Sequence, residues 1–295
     1  MKYQVNQNDI RLDNFLTETL DVSRSQVTKM IKAKEVLVNE KIVKPGFLLK
    51  ESDIITVNHV SEDGVKPEKM DLDIVYEDED VLVINKANGV VVHPGAGNHS
   101  GTLVNGLLYH TKLSDVNGEV RPGIVHRIDA YTTGLLMVAK NNKAHEILAE
   151  ELAEKKTYRK YVALVWGVIE SDTGEIDAPI GRSKSDRKKM AIRADGKEAI
   201  THFKVLKRYE KATLIELRLE TGRTHQIRVH MDYIGHPLVN DPVYGNRKLF
   251  DETGQCLHAK ELGFVHPTTG KYMQFDSELP ECFTNILKKF EQVIL

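Results

Sequence analysis

Residues 124–139 read Ile-Val-His-Arg-Ile-Asp-Ala-Tyr-Thr-Thr-Gly-Leu-Leu-Met-Val-Ala, and this stretch carries the strongest local signal for the fold. The β-prone pair Ile124-Val125 leads into it, and residues 135–139 form an apolar run that is typical of a buried strand. The polar residues between them are therefore predicted to form a loop between two sheet segments. A rigid scaffold can present a loop residue such as Asp129 to a ligand. An isolated Asp in a loop is nevertheless more often a turn or cap residue, and spacing alone favours that interpretation.

Outward from this loop, the chain from about residue 72 to its end combines strand-like runs with few helices. Residues 81–85, 161–168 and 214–219 are rich in aliphatic and β-branched residues, which indicates three more strands. Apolar residues at helical spacing across 144–152 predict a helix. This mixture predicts a large mixed sheet with helices packed on it.

The first sixty residues have a pattern of their own. Apolar residues at helical spacing predict a short helix over 12–20, and Ser23 with Gln26 forms a capping-box pattern that would begin a second helix. Strand-prone runs follow at 36–43 and 54–57. These elements predict a small α/β domain.

The boundary between the two parts lies where the sequence turns polar. Between Val60 and Leu72 the chain contains Gly64 and Pro67 and loses its periodicity. We therefore predict three segments along the chain, namely a small domain over 1–59, a linker over 60–71 and a large domain over 72–295.

The composition excludes several classes of protein. The chain is 41% hydrophobic and 28% charged with a net charge of −2, so any nucleic-acid surface must come from local clusters of Lys and Arg. Its two cysteines, Cys256 and Cys282, match neither a zinc spacing nor a disulfide framework. The N-terminal residues lack the apolar run of a signal peptide, and no stretch approaches the ~20 apolar residues of a membrane span. We expect a cytoplasmic protein that has no membrane association.

Two local clusters of cations stand out. Residues 22–34 contain no acidic residue and combine an apolar stripe with Arg24, Lys29, Lys32 and Lys34. Such a helix can pack on its own sheet and face a phosphate backbone, although charge alone favours a merely solvated face. Residues 182–197 hold a second cluster and are interpreted as a cationic hairpin that contacts RNA backbone, with a solvated loop as the alternative. Its cations are Arg182, Lys184, Arg187, Lys188, Lys189, Arg193 and Lys197.

The order of motifs in the first part resembles the small RNA-binding domain named after ribosomal protein S-four. The resemblance spans roughly residues 11–58 and implies binding to structured RNA. The motifs that carry it are Arg11-Leu12-Asp13, Val22-Ser23-Arg24-Ser25, Ile31-Lys32, Val36-Leu37-Val38-Asn39, Lys44-Pro45-Gly46 and Asp53-Ile54-Ile55.

The motif around Asp129 resembles the signature of the RluA/RluD family of pseudouridine synthases, and further stretches agree in the same order. These are Asn85-Lys86 with Gly89 and Val92-His93-Pro94, Tyr161 to Val165 with Gly167, Thr221 to His230 continuing to Asp241 and Tyr244-Gly245, and Leu257-His258-Ala259 with His266-Pro267. The resemblance implies an α+β fold with a large mixed, mainly antiparallel sheet flanked by helices. The family usually has Ser where Thr133 stands, a change that keeps the hydroxyl.

The resemblance also implies the roles of individual residues. It assigns Asp129 as the catalytic carboxylate, either a nucleophile at the sugar or a general base, and both roles need its ionised form. Arg228 would be its salt-bridge partner, and Tyr161 would lie against the target uracil. Arg127 would occupy the space that a flipped-out nucleotide leaves, while the role of His126 stays open. The reaction is an isomerisation, so no cofactor or metal is expected.

The expected substrate is RNA, with large-subunit ribosomal RNA as the family-level expectation and transfer RNA as the runner-up. We expect a monomer. A non-catalytic RNA-binding factor for ribosome assembly is a rival, disfavoured because the three site residues occur together. A glycoside hydrolase would normally need two carboxylates, and only one is convincing. A metalloenzyme using His225 and His230 is disfavoured because their spacing is not a helical i, i+4 pair.

Overall fold

The computed structural model divides the chain into two compact units, Met1–Gly64 and Val65–Leu295. Residues 65–71, predicted as linker, lie with the second unit, where the Glu68 amide donates to the Asn105 carbonyl. Residues 58–64 of the predicted boundary lie outside the described residues, as does Ser23 of the predicted capping box. No helix among the described residues is both long and apolar enough to cross a membrane. The structure describes residues 2–5, 8–20, 24–57, 65–95, 98–117, 121–186, 189–245 and 247–291, without the side chains of residues 25 and 26.

The first unit packs two helices on a small sheet, as the sequence predicted. The elements are β1 Lys2–Gln4, β2 Ile10–Arg11, α1 Leu12–Thr19, α2 Arg24–Lys32, β3 Val36–Val38, β4 Lys41–Ile42, β5 Leu48–Leu49 and β6 Ile54–Val57. Strands β1, β6, β3 and β4 are hydrogen-bonded in that order, and β2 pairs with β5. The core joins residues of both helices to strand residues, among them Leu16, Val27 and Ile55.

The second unit is built on a nine-stranded sheet with the order β11-β14-β15-β10-β16-β9-β8-β7, and β17 pairs with β16. Every neighbouring pair is antiparallel except β9 with β16, which confirms a mixed, mainly antiparallel sheet. The strands are β7 Ile74–Glu77, β8 Val81–Lys86, β9 Thr133–Ala139, β10 Tyr158–Trp166, β11 Thr173–Asp177, β12 Ile180–Arg182, β13 Met190–Ile192, β14 Ile200–Arg208, β15 Ala212–Leu219, β16 Leu257–Val265 and β17 Tyr272–Asp276. The helices are α3 Leu103–His110, α4 Asn142–Ala153, α5 Gln226–Tyr233 and α6 Glu281–Glu291.

Strand β8 is buried on both of its faces. Leu82 and Ile84 share a core cluster with α3 residues, whereas Val81 and Val83 share another with α4 residues. Alternate side chains of a strand point to opposite faces, so a doubly covered strand needs apolar residues at every position. This explains why its sequence shows a continuous apolar run rather than an alternation.

The parallel contact between β9 and β16 fixes the end of the predicted loop. Gly134 pairs with Ala259 and has a φ of 106°, and a Cβ there would collide with the Ala259 carbonyl. Only Gly combines that backbone conformation with so close an approach. The hydroxyl of the neighbouring Thr133 lies 2.8 Å from His258 Nδ1. The Thr that stands where the family usually has Ser therefore forms a hydrogen bond through its hydroxyl group.

Candidate active site

The loop that carries Asp129 is tied to β8 by a buried lysine. Lys86 is 1% exposed, and its Nζ donates to the carbonyls of Ala130 at 2.7 Å, Ala87 at 2.8 Å and Val90 at 2.9 Å. Burial lowers the pKa of Lys86 to about 7, against the opposing charge of Asp129. The three carbonyls match the three donors of an ammonium group, so the charged form is the one that holds the loop.

His126 holds the same loop to β9. Its Nε2 accepts a hydrogen bond of 3.1 Å from the backbone amide of Met137. Burial lowers the pKa of His126 to about 3, and the charge of Arg159 acts in the same direction. An accepting Nε2 requires the neutral ring, so this residue, whose role the sequence left open, is a neutral link between the loop and the sheet.

Asp129 forms the ion pair that the resemblance implies. Arg228, in α5, donates from Nη1 to Asp129 Oδ2 at 2.9 Å. The same guanidinium makes a two-pronged contact with Asp241, from Nε at 2.7 Å and Nη2 at 2.8 Å. Burial lowers the pKa of Arg228, but the two carboxylates outweigh it and raise the pKa overall. The fork geometry of Arg lets one side chain hold both carboxylates, which Lys could not do.

The second oxygen of Asp129 faces a histidine. Asp129 Oδ1 lies 3.8 Å from His225 Nε2 and receives no hydrogen bond from any described residue. His225 Nδ1 lies 2.9 Å from the Tyr244 hydroxyl, which accepts from the Met190 amide at 2.9 Å. The Tyr244 hydroxyl can therefore donate its proton to His225 Nδ1. In a neutral His225 ring the hydrogen then lies on Nε2, which faces Asp129. Burial lowers the pKa of His225, which favours the neutral ring.

Tyr161 and Asp129 line one cavity of about 340 Å³. Tyr161 lies in β10, where the pairing with β16 shifts register between Lys160 and Tyr161. Such irregularities re-aim side chains next to functional sites. Tyr161 is 6% exposed, and burial raises the pKa of its hydroxyl. A base-sized ligand therefore has a flat, neutral aromatic wall beside the carboxylate.

Arg127 lies at the edge of this cavity in a defined position. Its Nη1 lies 3.1 Å from His93 Nε2, and its Nη2 donates to Thr224 Oγ1 at 3.2 Å. Because Arg only donates, His93 Nε2 is the acceptor and its Nδ1 donates to the Pro94 carbonyl at 3.1 Å. Burial lowers the pKa of His93, in accord with a neutral ring. Arg127 is thus held in place by hydrogen bonds within the protein.

Three residues at this site had no role in the sequence analysis. Lys86 and Asp241 stood inside the quoted motifs, but spacing does not reveal a lysine that folds back onto carbonyls or an acid that clamps an arginine. For His225 we weighed a metal site shared with His230 and favoured a structural or phosphate-binding role, without linking it to Asp129. Both ring nitrogens of His230 are occupied, at 2.9 Å from Thr201 Oγ1 and from the Ala178 carbonyl.

Among the described residues, Asp78, Asp80 and His266 bring three candidate metal ligands within 4.8 Å of one another. The oxygens of Asp78 already accept from the Tyr76 hydroxyl, the amides of Asp80 and Val81, and His266 Nε2. A carboxylate with four donors is saturated, so the cluster is explained as a support for the turn between β7 and β8.

The predicted RNA-binding cations of the first unit are exposed on α2 and just after it. The apolar residues Val27 and Ile31 are buried on the opposite side, as the amphipathic pattern predicted. Arg24 differs from the lysines because it forms a 2.7 Å ion pair with the buried Asp13, so part of its role is structural. The exposed lysines are Lys29, Lys32 and Lys34.

The basic segment 182–197 begins at the last residue of β12 and contains β13, and these two strands form an antiparallel pair. Arg187 and Lys188 of this segment lie outside the described residues. Arg193 forms an ion pair with Asp195, which offsets part of the positive charge. Through the Met190 amide the segment contacts Tyr244 and hence His225.

Comparisons with known proteins agree with this architecture. A family model described as RNA pseudouridylate synthase matches residues 80–233, and a model of the S4 domain matches residues 10–55. An uncharacterized RNA pseudouridine synthase, YlyB of Bacillus subtilis, is 54% identical over 96% of this chain and 94% of its own. The ribosomal large subunit pseudouridine synthase D of Zymomonas mobilis is 46% identical over 92% of this chain and 90% of its own.

A similar solved structure is that of human RNA pseudouridylate synthase domain containing 1. It has a TM-score of 0.56 and 25% identity, and the match covers 75% of this chain and 95% of that one. The whole-length relatives, the two family models and the shared fold lead to one conclusion: the chain belongs to the RNA pseudouridylate synthase family and carries an N-terminal S4 domain.

Proposed function

We propose that this RNA pseudouridine synthase isomerises specific uridines of large-subunit ribosomal RNA, with Asp129 as its catalytic carboxylate. The observation that carries the catalytic part is the asymmetry of the Asp129 carboxylate. Arg228 holds Oδ2 at 2.9 Å, whereas Oδ1 has no hydrogen bond from a described residue, and the side chain lines a cavity bordered by Tyr161. An ionised oxygen in this position is available to a reacting atom.

The reaction breaks the bond between uracil N1 and ribose C1′, turns the base and joins C1′ to uracil C5. C5 then loses its proton and N1 gains one, so the product is an isomer of the substrate. Asp129 Oδ1 either attacks C1′ as a nucleophile and is displaced again when C5 bonds to C1′, or takes a proton from C2′ as a general base and returns it when C5 adds to C1′. Both routes need the ionised carboxylate that Arg228 stabilises. Tyr161 stacks on the uracil, an interaction of about 1–3 kcal/mol per base.

The target carbon is inaccessible in a stacked helix, so the nucleotide has to leave the stack at a cost of a few kcal/mol. Arg127 lies at the cavity edge on His93 and Thr224, a position that suits a side chain replacing the extruded base. The exposed lysines of α2 then hold the RNA through its phosphates, largely without regard to sequence.

The relatives named ribosomal large subunit pseudouridine synthase D support large-subunit ribosomal RNA as the substrate. The proposal is tested by mapping pseudouridines in all RNA of cells with and without this gene. We expect the loss of pseudouridine at defined positions of large-subunit ribosomal RNA. Losses confined to transfer RNA would contradict the choice of substrate, and an unchanged map would contradict the proposed function.

A further inference from the structure

Arg159 carries a buried guanidinium that has no role in the mechanism proposed above. Its side chain lines the same cavity as Asp129 and Tyr161, and the residue is only 8% exposed. Arg159 precedes Tyr161 by two residues in β10, and both residues line this one cavity. The guanidinium therefore belongs to the wall of the candidate active site.

This guanidinium lacks the partner that a buried cation normally has. No described carboxylate forms an ion pair with it, and its buried Nε has no hydrogen-bond partner in the described part of the chain. Arg228 on the same cavity is compensated by Asp129 and Asp241. An uncompensated buried charge costs several kcal/mol of folding free energy, so a ligand that supplied the counter-charge would relieve that cost on binding.

The backbone beside Arg159 is shaped to admit its head group. A Cβ at Gly222 would lie 2.7 Å from Arg159 Nη1, and Gly222 is also part of the cavity wall. The neighbouring Arg223 donates from Nε to the Glu198 carbonyl and has no ion pair among the described residues. This part of the cavity wall therefore carries two guanidinium groups that form no ion pair with a described carboxylate.

We propose that Arg159 forms an anion subsite of the cavity and binds a negatively charged oxygen of the flipped-out nucleotide. The inference rests on the proposed function and adds a substrate-binding residue to it. Two oxygens of the nucleotide have the required charge. One belongs to a flanking phosphate. The other is a carbonyl oxygen of the uracil, which becomes anionic when the electron pair of the broken C1′–N1 bond leaves with the base.

The test compares Arg159→Met with the wild type on a transcript that contains the uridine identified by mapping. We expect kcat/KM to fall roughly 10- to 100-fold, the range for loss of a charge-assisted hydrogen bond. The thermal unfolding midpoint should stay equal or rise, because the variant removes an uncompensated buried charge. Arg218→Met is the matched control, since Arg218 is exposed on the adjacent strand β15, and it should leave kcat/KM unchanged.

Gly222→Ala provides a second variant that leaves Arg159 in place. The added methyl meets only the end of the Arg159 side chain, so the fold is retained and the guanidinium is displaced. We expect a smaller loss of kcat/KM than in Arg159→Met, and no further loss when the two changes are combined. Independent, additive losses would show that Gly222 acts by another route and would contradict the proposed contact.

Two arms identify the bound oxygen. If it is a phosphate oxygen, Arg159→Met raises KM and lowers the salt slope of binding by about 1. One neutral methylphosphonate linkage beside the uridine then weakens RNA binding by the wild type but not by Arg159→Met. If it is a uracil oxygen, Arg159→Met lowers kcat with the salt slope unchanged. The subsite proposal would be overturned if Arg159→Met left kcat and KM unchanged. It would also be overturned if kcat/KM fell together with the unfolding midpoint. An inactive wild type would instead overturn the proposed function.

Discussion

Replacing Asp241 by asparagine tests whether the arginine clamp holds the catalytic carboxylate. Asp241 accepts four hydrogen bonds, two from Arg228 and one each from the amides of Val243 and Tyr244. The asparagine side chain would keep the oxygen that accepts from the two amides. Its amide nitrogen would face Arg228 Nε, donor against donor, and the compensating charge would be gone.

The magnitude follows from the burial of the pair. The Asp241 side chain is 0% exposed and that of Arg228 is 5% exposed. Removing one partner of such a pair costs about 3–5 kcal/mol, and we expect about 3 kcal/mol because Asp129 still compensates Arg228. For a unit of this size that corresponds to a fall of roughly 6–12 °C in the thermal unfolding midpoint. We also expect kcat to fall at least about tenfold, since Arg228 no longer fixes Asp129.

Thermal unfolding followed by circular dichroism and single-turnover kinetics on an RNA substrate measure the two effects. Asp195→Asn is the control, because Asp195 is an exposed partner of Arg193 and its replacement should change neither quantity. An Asp241→Asn protein with the wild-type midpoint and the wild-type kcat would refute the idea that this clamp organises the site.

Three further predictions concern the loop, the acid stability and the first unit. Lys86→Met removes the donor to the Ala130 carbonyl and should lower kcat at least about tenfold with little change in KM, as measured by initial rates. Burial acts to raise the pKa of Asp78, but hydrogen bonds from Val81, Tyr76, Asp80 and His266 outweigh it and lower the pKa to about 2. The lowered pKa of Asp78 stabilises the fold at pH values above the ordinary carboxyl pKa, and this contribution is lost as the pH falls towards 2. The free energy of urea unfolding should therefore fall less steeply below pH 4 in Asp78→Asn than in the wild type. Deleting residues 1–58 should weaken RNA affinity and reduce its salt dependence, and an unchanged slope in filter binding would contradict the binding role of α2.

The strands that the sequence revealed most clearly are those buried on two faces. β8 and β9 are covered on both sides, so their apolar runs are uninterrupted and their positions were predicted within two residues. β17 alternates between exposed and half-buried positions, and β14 has only one buried residue, Thr201, which is polar. Both strands therefore give a weak apolar signal, and neither was predicted. Helix α5 was also missed, because its buried positions include Gln226, Arg228 and His230 and its apolar stripe is incomplete.

The candidate site shows the same limit. Asp129, Tyr161 and Arg228 were named only because ordered motifs resembled a family, since Asp129 alone fits a turn or cap and Tyr161 alone fits a core strand. The structure adds what spacing cannot supply, namely that residues 99 positions apart form one ion pair and that Asp241 completes it. The lack of a partner for Arg159 is likewise visible only in three dimensions, because it depends on which charges surround one side chain.

The most direct measurement is the release of tritium from RNA labelled at uracil C5 by the Asp129→Asn protein. The C5 hydrogen leaves only when C5 becomes joined to the sugar, so release reports the isomerisation itself. An asparagine at position 129 keeps the size of the side chain but can neither attack C1′ nor take a proton from C2′. We expect no release above background while RNA binding stays close to that of the wild type. Appreciable release by this variant would show that the carboxylate at position 129 does not carry the chemistry.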